Sequence, residues 1–120
     1  MDYQQVLKTH PWVGLVAECG DGWADILDRL FFGIENRIKD LGQDIGSSNL
    51  RILQIKEKFG ELRFYYQSNI DFSDLIEAAV EESARTCEEC GKPGALSSNG
   101  RWLMVRCDEH MPQGATAIKV

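Results

Sequence analysis

Residues 86 to 110, from Thr86 to His110, read TCEECGKPGALSSNGRWLMVRCDEH. They hold Cys87, Cys90, Cys107 and His110 in the spacing Cys-x2-Cys-x16-Cys-x2-His. Each pair is close enough in sequence for one tight turn to aim both side chains at a single ion, and the segment between the pairs is long enough for a hairpin that brings the turns together. Gly91 stands directly after the second cysteine, where the chain must turn sharply, and Asn99-Gly100 stands where the hairpin must reverse. The pattern predicts a metal site over residues 86–111. Three thiolates and an imidazole form a closed tetrahedral set, the donor set of structural rather than catalytic Zn2+, because a catalytic ion keeps one position open for water.

Two other uses of the cysteines fit the sequence less well. A redox Cys-x-x-Cys pair normally sits at a helix N-terminus, which lowers the thiol pKa. Here the pair follows a helix, where the dipole acts in the opposite direction. Structural disulfides belong to oxidising compartments, and the opening MDYQQVLKTHPW is too polar for a secretion signal. The expected address is therefore cytoplasmic.

Working outward from the cysteines, apolar residues at three- and four-residue steps predict a helix from about Gly22 to Leu41. Its stripe is Trp23, Ile26, Leu27, Leu30, Phe31, Ile34, Ile38 and Leu41, with Asp21 as N-cap and Gly42 as the stop. A second helix is expected from about Ser73 to Arg85, with Phe72, Leu75, Ile76, Ala79, Val80 and Ala84 as its stripe and Asp71 or Ser73 as cap. Between them, Leu53 and Ile55, then Leu62, Phe64 and Tyr66, alternate with the period of a half-buried strand, and KEKFGE reads as the turn of a hairpin. A short helix over Asp2–Lys8 is consistent with Pro11 beyond it. The run WVGLVA is too short for its period to decide strand, loop or turn. The tail MPQGATAIKV carries no periodicity and reads as loose, with Ile118 and Val120 as residues able to dock. The fold class expected is α+β: two amphipathic helices packed on antiparallel β-hairpins, closed by a C-terminal Cys3His element like a zinc ribbon.

The 120 residues, with no repeat or linker, suit a single domain spanning 1–120. Nineteen acidic side chains against thirteen basic ones leave a formal charge of -6, and three thiolates around a divalent cation make the loaded form more negative still. That charge opposes nonspecific binding to nucleic acid, which rests on Lys and Arg contacts to phosphate. The exception is the first hairpin, where Arg51, Lys56, Lys58 and Arg63 accompany Tyr65. This makes hairpin 51–66 the candidate surface of an alternative, nucleic-acid-binding reading.

Little in the chain points to an enzyme. Of two histidines one is a metal ligand, and His10 has no acid or nucleophile partner near it in sequence. His10 and Cys19 read as a surface histidine and a partly buried cysteine rather than a dyad. CGDGW lacks the later glycine and the preceding strand of a dinucleotide loop. What remains is a surface for another protein. The candidates are Trp102, expected to be exposed because it alternates away from Leu103 and Val105, and the acidic pairs Glu88-Glu89 and Asp108-Glu109, expected to project outward from the knuckles.

The combination of QIKEKFGELRFYY, RTCEECGKPG and CDEH, over roughly Asp21 to His110, resembles small uncharacterised bacterial and phage proteins. The resemblance implies a bacterial or prophage origin and zinc bound by Cys87, Cys90, Cys107 and His110, and brings no activity with it. The helix leading into CEECGKPG also looks like the zinc segment of DksA/TraR-type proteins, which bind RNA polymerase. This chain departs from them in having His110 as fourth ligand and in lacking their long helical hairpin. The function expected is a non-enzymatic, zinc-stabilised protein-interaction module, one that a phage or mobile element would carry to act on a host process such as defence or transcription.

Overall fold

The computed structural model describes residues 1–118. Over the described residues the chain is α+β, with three α-helices, α1 (Tyr3–Thr9), α2 (Ala24–Asp40) and α3 (Ser73–Ser83), and five strands, β1 (Arg51–Lys58), β2 (Glu61–Gln67), β3 (Ala95–Ser98), β4 (Leu103–Arg106) and β5 (Thr116–Ala117). The strands form two antiparallel sheets, β1-β2 and β4-β3-β5. No helix among the described residues is long and apolar enough to cross a membrane.

The stripe of α2 is the spine of the core, with Ile26, Leu27, Leu30, Phe31, Ile34 and Ile38 all buried. It packs with Ile52, Ile55, Leu62 and Phe64 of β1-β2 and with Phe72 and Ala79 beside α3. Leu41, expected on this stripe, is exposed because the helix has ended. Gly42 adopts φ +73 and donates to the Lys39 carbonyl, while Gln43 donates to that of Ile38, the paired bonds of a Schellman stop. Asp21 does not cap the helix. A 3-10 turn, Asp21–Trp23, precedes α2, and the Asp21 carboxylate accepts instead from the Tyr3 N–H at 3.0 Å, tying α1 to α2.

The register of β1 differs from the expected alternation. A bulge between Ile52 and Gln54 turns Leu53 out to solvent and puts Ile52 and Ile55 inward. The extra residue reverses the facing of everything before it. At the far end the turn is Phe59-Gly60, with positive φ at both residues, the signature of a type I′ hairpin. α3 stops two residues short of Arg85. Ala84 is exposed and Ser83 is buried in its place, its hydroxyl donating to the Val80 carbonyl and accepting from Leu62 N–H of β2. Asp71 does accept from the first amide of α3, that of Ser73. The tail is not loose. β5 adds to β3, and Ile118 N–H donates to the Leu96 carbonyl at 2.8 Å. Val120 lies outside the described residues.

Beyond α1 a 3-10 turn (Pro11–Val13) ends at Gly14 in the left-handed region, and Glu18 is bridged to Lys56 alongside β1. His10, expected on the surface, is fully buried. Its Nδ1 lies 2.6 Å from a Glu35 carboxylate oxygen and its Nε2 2.9 Å from one of Asp28. The Trp12 indole donates to the same Glu35 oxygen at 2.6 Å, and Phe31 and Phe32 close on the imidazole edge to face. Asp28 and Glu35, outside the apolar stripe of α2, are thus partly buried partners of one ring. Its position makes His10 a structural pin, and the truncation His10→Ala is expected to cost about 3 kcal/mol of unfolding free energy, from the cavity plus the lost charge-assisted bonds. Urea unfolding followed by circular dichroism measures this, and a change within about 0.5 kcal/mol would refute the role.

Candidate metal centre

α3 delivers the chain to Thr86, which bridges to Pro93 and closes the first knuckle. Inside it Cys87 N–H donates to the Lys92 carbonyl at 2.8 Å, and Gly91 N–H to the Cys87 carbonyl at 2.9 Å. The second knuckle follows β4 as a 3-10 turn, Asp108–His110, with His110 N–H donating to the Cys107 carbonyl. The two knuckles bring the predicted ligands together. The Cys90 and Cys107 sulfurs are 3.6 Å apart, His110 Nδ1 lies 3.2 Å from Cys107 Sγ and 3.9 Å from Cys87 Sγ, and all four donor atoms fall within 4.8 Å of one another. A tetrahedron with bonds of about 2.3 Å to sulfur has edges of about 3.8 Å, so this cluster is sized for one metal ion. Cys87 and Cys107 are buried and Cys90 and His110 exposed, which puts the centre just under the surface.

The centre is joined to the rest of the molecule through Glu88, which does not project outward as expected. Its backbone carbonyl accepts from Gly22 N–H at 2.7 Å and its carboxylate from Gly20 N–H at 2.8 Å. The other carboxylate oxygen faces Arg106 at 3.4 Å, and Arg106 also reaches Glu89. The Trp23 indole donates to the Thr86 carbonyl at 2.9 Å. Close approach here demands glycine. A Cβ on Gly22 would overlap the Cys87 carbonyl oxygen and lie 2.5 Å from the carbonyl carbon of Glu88, and one on Gly20 would overlap the Glu88 carbonyl oxygen. The CGDGW string, which fits no nucleotide loop, is therefore the seat of the first knuckle. Its signal in sequence was two glycines flanking an aspartate immediately before a strong helix.

Of the other candidate residues, Glu109 pairs with Lys92 at 3.1 Å and Asp108 is exposed. With Glu88 and Glu89 engaged by Arg106, the acidic pairs do not form one free acidic surface. Trp102 is 70% exposed, as expected, but for a different reason. β4 begins at Leu103, so Trp102 lies in the loop, held there by Asn99 Oδ1, which accepts from the Trp102 and Arg101 amides at 2.8 and 2.9 Å. On the first hairpin Lys56 and Arg63 are cross-strand partners opposite the core, Lys56 extends over the Tyr65 ring, and Arg51 is exposed at the strand's start. Arg63 reaches Glu61 at 3.8 Å, and Lys58 lies over the Phe59 ring. Cys19 stays apart from the cluster. Burial, followed by the nearby Glu88, Asp21 and Glu57 carboxylates, pushes its thiol up to about 12.

No protein-family model, curated protein or solved structure matches this chain.

Two outcomes follow from this geometry. Gly22→Ala is expected to cost about 3 kcal/mol or more through overpacking, lowering Tm by roughly 10 °C, and an unchanged melting curve would show that the knuckle does not seat there. In iodoacetamide labelling at pH 8, a thiol with a pKa near 12 is thiolate in about one molecule in 10^4, and the thiolate is the reactive form. In the folded protein, labelled without a chelator, Cys19 is expected to stay unmodified, and to alkylate readily once the chain is unfolded in urea, read by peptide mass spectrometry. Early modification of Cys19 would contradict the assignment.

Proposed function

We propose that this chain is a non-catalytic, zinc-stabilised module that binds another protein. Three thiolates and an imidazole are the donor set that zinc takes in closed structural sites, and four protein ligands leave no position for a reacting water. Zinc at such sites contributes apparent binding energy of about 10–16 kcal/mol at neutral pH, which here is folding energy. The knuckles tie α3, β3-β4 and the start of α2 together, so the ion's work is to hold a surface in shape.

The observation that carries the interaction reading is the pair of rings this arrangement leaves in solvent. Trp102 at the tip of one hairpin and Phe59, 64% exposed at the tip of the other, serve neither core nor metal centre. Large rings of this kind are favoured anchors of protein interfaces.

Purified protein is expected to carry one zinc per chain by elemental analysis, and Cys107→Ser to lose both the metal and cooperative unfolding. Zinc-loaded protein used as bait in native lysate, with and without nuclease, is expected to retain a stoichiometric protein that resists nuclease. Recovery of nucleic acid, with bound proteins lost on nuclease treatment, would overturn this reading in favour of hairpin 51–66.

A further inference from the structure

The turn of the first hairpin rests on the second hairpin. Gly60 is buried, and a Cβ there would lie 2.7 Å from Leu96 Cδ1 and 3.3 Å from Met104 N. This contact opens a groove of ≈ 470 Å³ between the two tips, lined by Glu57, Lys58, Phe59, Arg101, Trp102 and Leu103.

Phe59 is misplaced by every local rule. The first position of a type I′ turn suits Asn, Asp or Gly, yet Phe59 adopts φ +57 there with its ring in solvent. Neither turn geometry nor core packing accounts for it. A residue that breaks local preference without a structural gain marks a functional position. Trp102 faces the same groove from a loop whose backbone Asn99 holds in place.

The groove's charge names its occupant. Glu57 turns a carboxylate oxygen back to accept from Gly60 N–H at 2.7 Å. Among the described residues no ion pair engages Lys58 or Arg101. On a chain of net charge -6 this is an apolar slot with two cations outside any of these ion pairs at its mouth, one of them, Lys58, lying over the Phe59 ring. Resting on the interaction reading above, we infer that it receives a linear acidic peptide segment, which inserts one large apolar side chain between Phe59 and Trp102 and sets flanking carboxylates against Lys58 and Arg101. A nucleic-acid strand is served less well. Its affinity grows with the number of phosphates neutralised, and two groove cations on an acidic protein neutralise few.

The test uses the zinc-loaded full chain and a displayed library of random 12-residue peptides. The consensus peptide is then synthesised with a fluorescent label and titrated by polarisation, beside a labelled 20-nucleotide oligo-dT. Phe59→Asn is the decisive variant, since Asn-Gly is the favoured type I′ pair and the fold is kept or stabilised. The expected consensus holds one Trp, Phe, Leu or Ile among Asp and Glu. Its affinity is expected to fall at least tenfold in Phe59→Asn and in Trp102→Ser, and several-fold in Lys58→Glu and Arg101→Glu. A basic or neutral consensus, no enrichment, or binding unchanged in Phe59→Asn and Trp102→Ser overturns the inference. So does oligo-dT binding that these variants abolish, which assigns the groove to nucleic acid, and so does a dimer in light scattering that they dissolve, which assigns it to a second copy. Lysate capture that survives the groove variants would sink the groove and leave the interaction module standing, whereas a bait that retains no protein would sink the module.

Discussion

The structure depends on one close contact, between the Cys87–Glu88 backbone and the glycines at the entrance to α2. Two peptide groups lie against each other with no side chain between them, joined by the 2.7 Å bond from Gly22 N–H to the Glu88 carbonyl. Because Cys87 belongs to the Cys3His cluster, any displacement of the knuckle moves the start of the helix that carries most of the core. The Glu88 carboxylate adds a second bond to the same segment, and Trp23 a third through Thr86. A Cys3His cluster at the surface is in this way wired into the hydrophobic core, although the core cluster contains none of its four residues. Hydrogen bonds of this kind contribute only about 1 kcal/mol each. Their importance is geometric: they fix where a rigid ligand cage sits relative to α2.

What could be read from sequence was what is local. The α2 stripe is a property of one segment's periodicity, and its Schellman stop needs only Gly42 in the left-handed region. The clustering of Cys87, Cys90, Cys107 and His110 was legible because each knuckle is a local turn and the Cys/His spacing suits a tetrahedral site. Features that depended on distant partners were not legible. His10 was read as a surface residue since nothing beside it in sequence receives its ring, yet its acceptors lie 18 and 25 residues away on one helix face. Glu88 was read as solvated since knuckle positions usually point outward, and here its partner amide is 68 residues earlier.

Two further departures have a single cause each. Leu53 was placed inward by extrapolating a period of two from Ile55, and one bulged residue inverts that phase. Alternation puts Trp102 on a strand, whereas its N–H donates to the Asn99 side chain rather than to the Asn99 carbonyl, leaving one 3.4 Å backbone bond from Asn99 N–H to the Trp102 carbonyl, and β4 starts only at Leu103. Exposure of Trp102 was expected on alternation and arises from the loop, so agreement on the residue does not mean agreement on the reason.

The two hairpin tips meet because Gly60 seats against Leu96 and Met104, which makes the space between Phe59 and Trp102 a tertiary property that neither hairpin has alone. Phe59 stands in a left-handed conformation that carries an energetic cost of about 1–2 kcal/mol for a non-glycine residue, and its exposed ring recovers little of that by burial. The neighbouring hairpin is positioned by the metal centre through Arg106, which links β4 to Glu88 and Glu89. A strained aromatic on one side and a loop anchored to the Cys3His knuckles on the other therefore share one surface. Stability alone would have placed Asn or Gly in the turn and a polar residue in the loop. The same two substitutions would have left the core, the bulge, the knuckles and the seat at Gly22 untouched, so the fold's own requirements do not call for these rings at these positions.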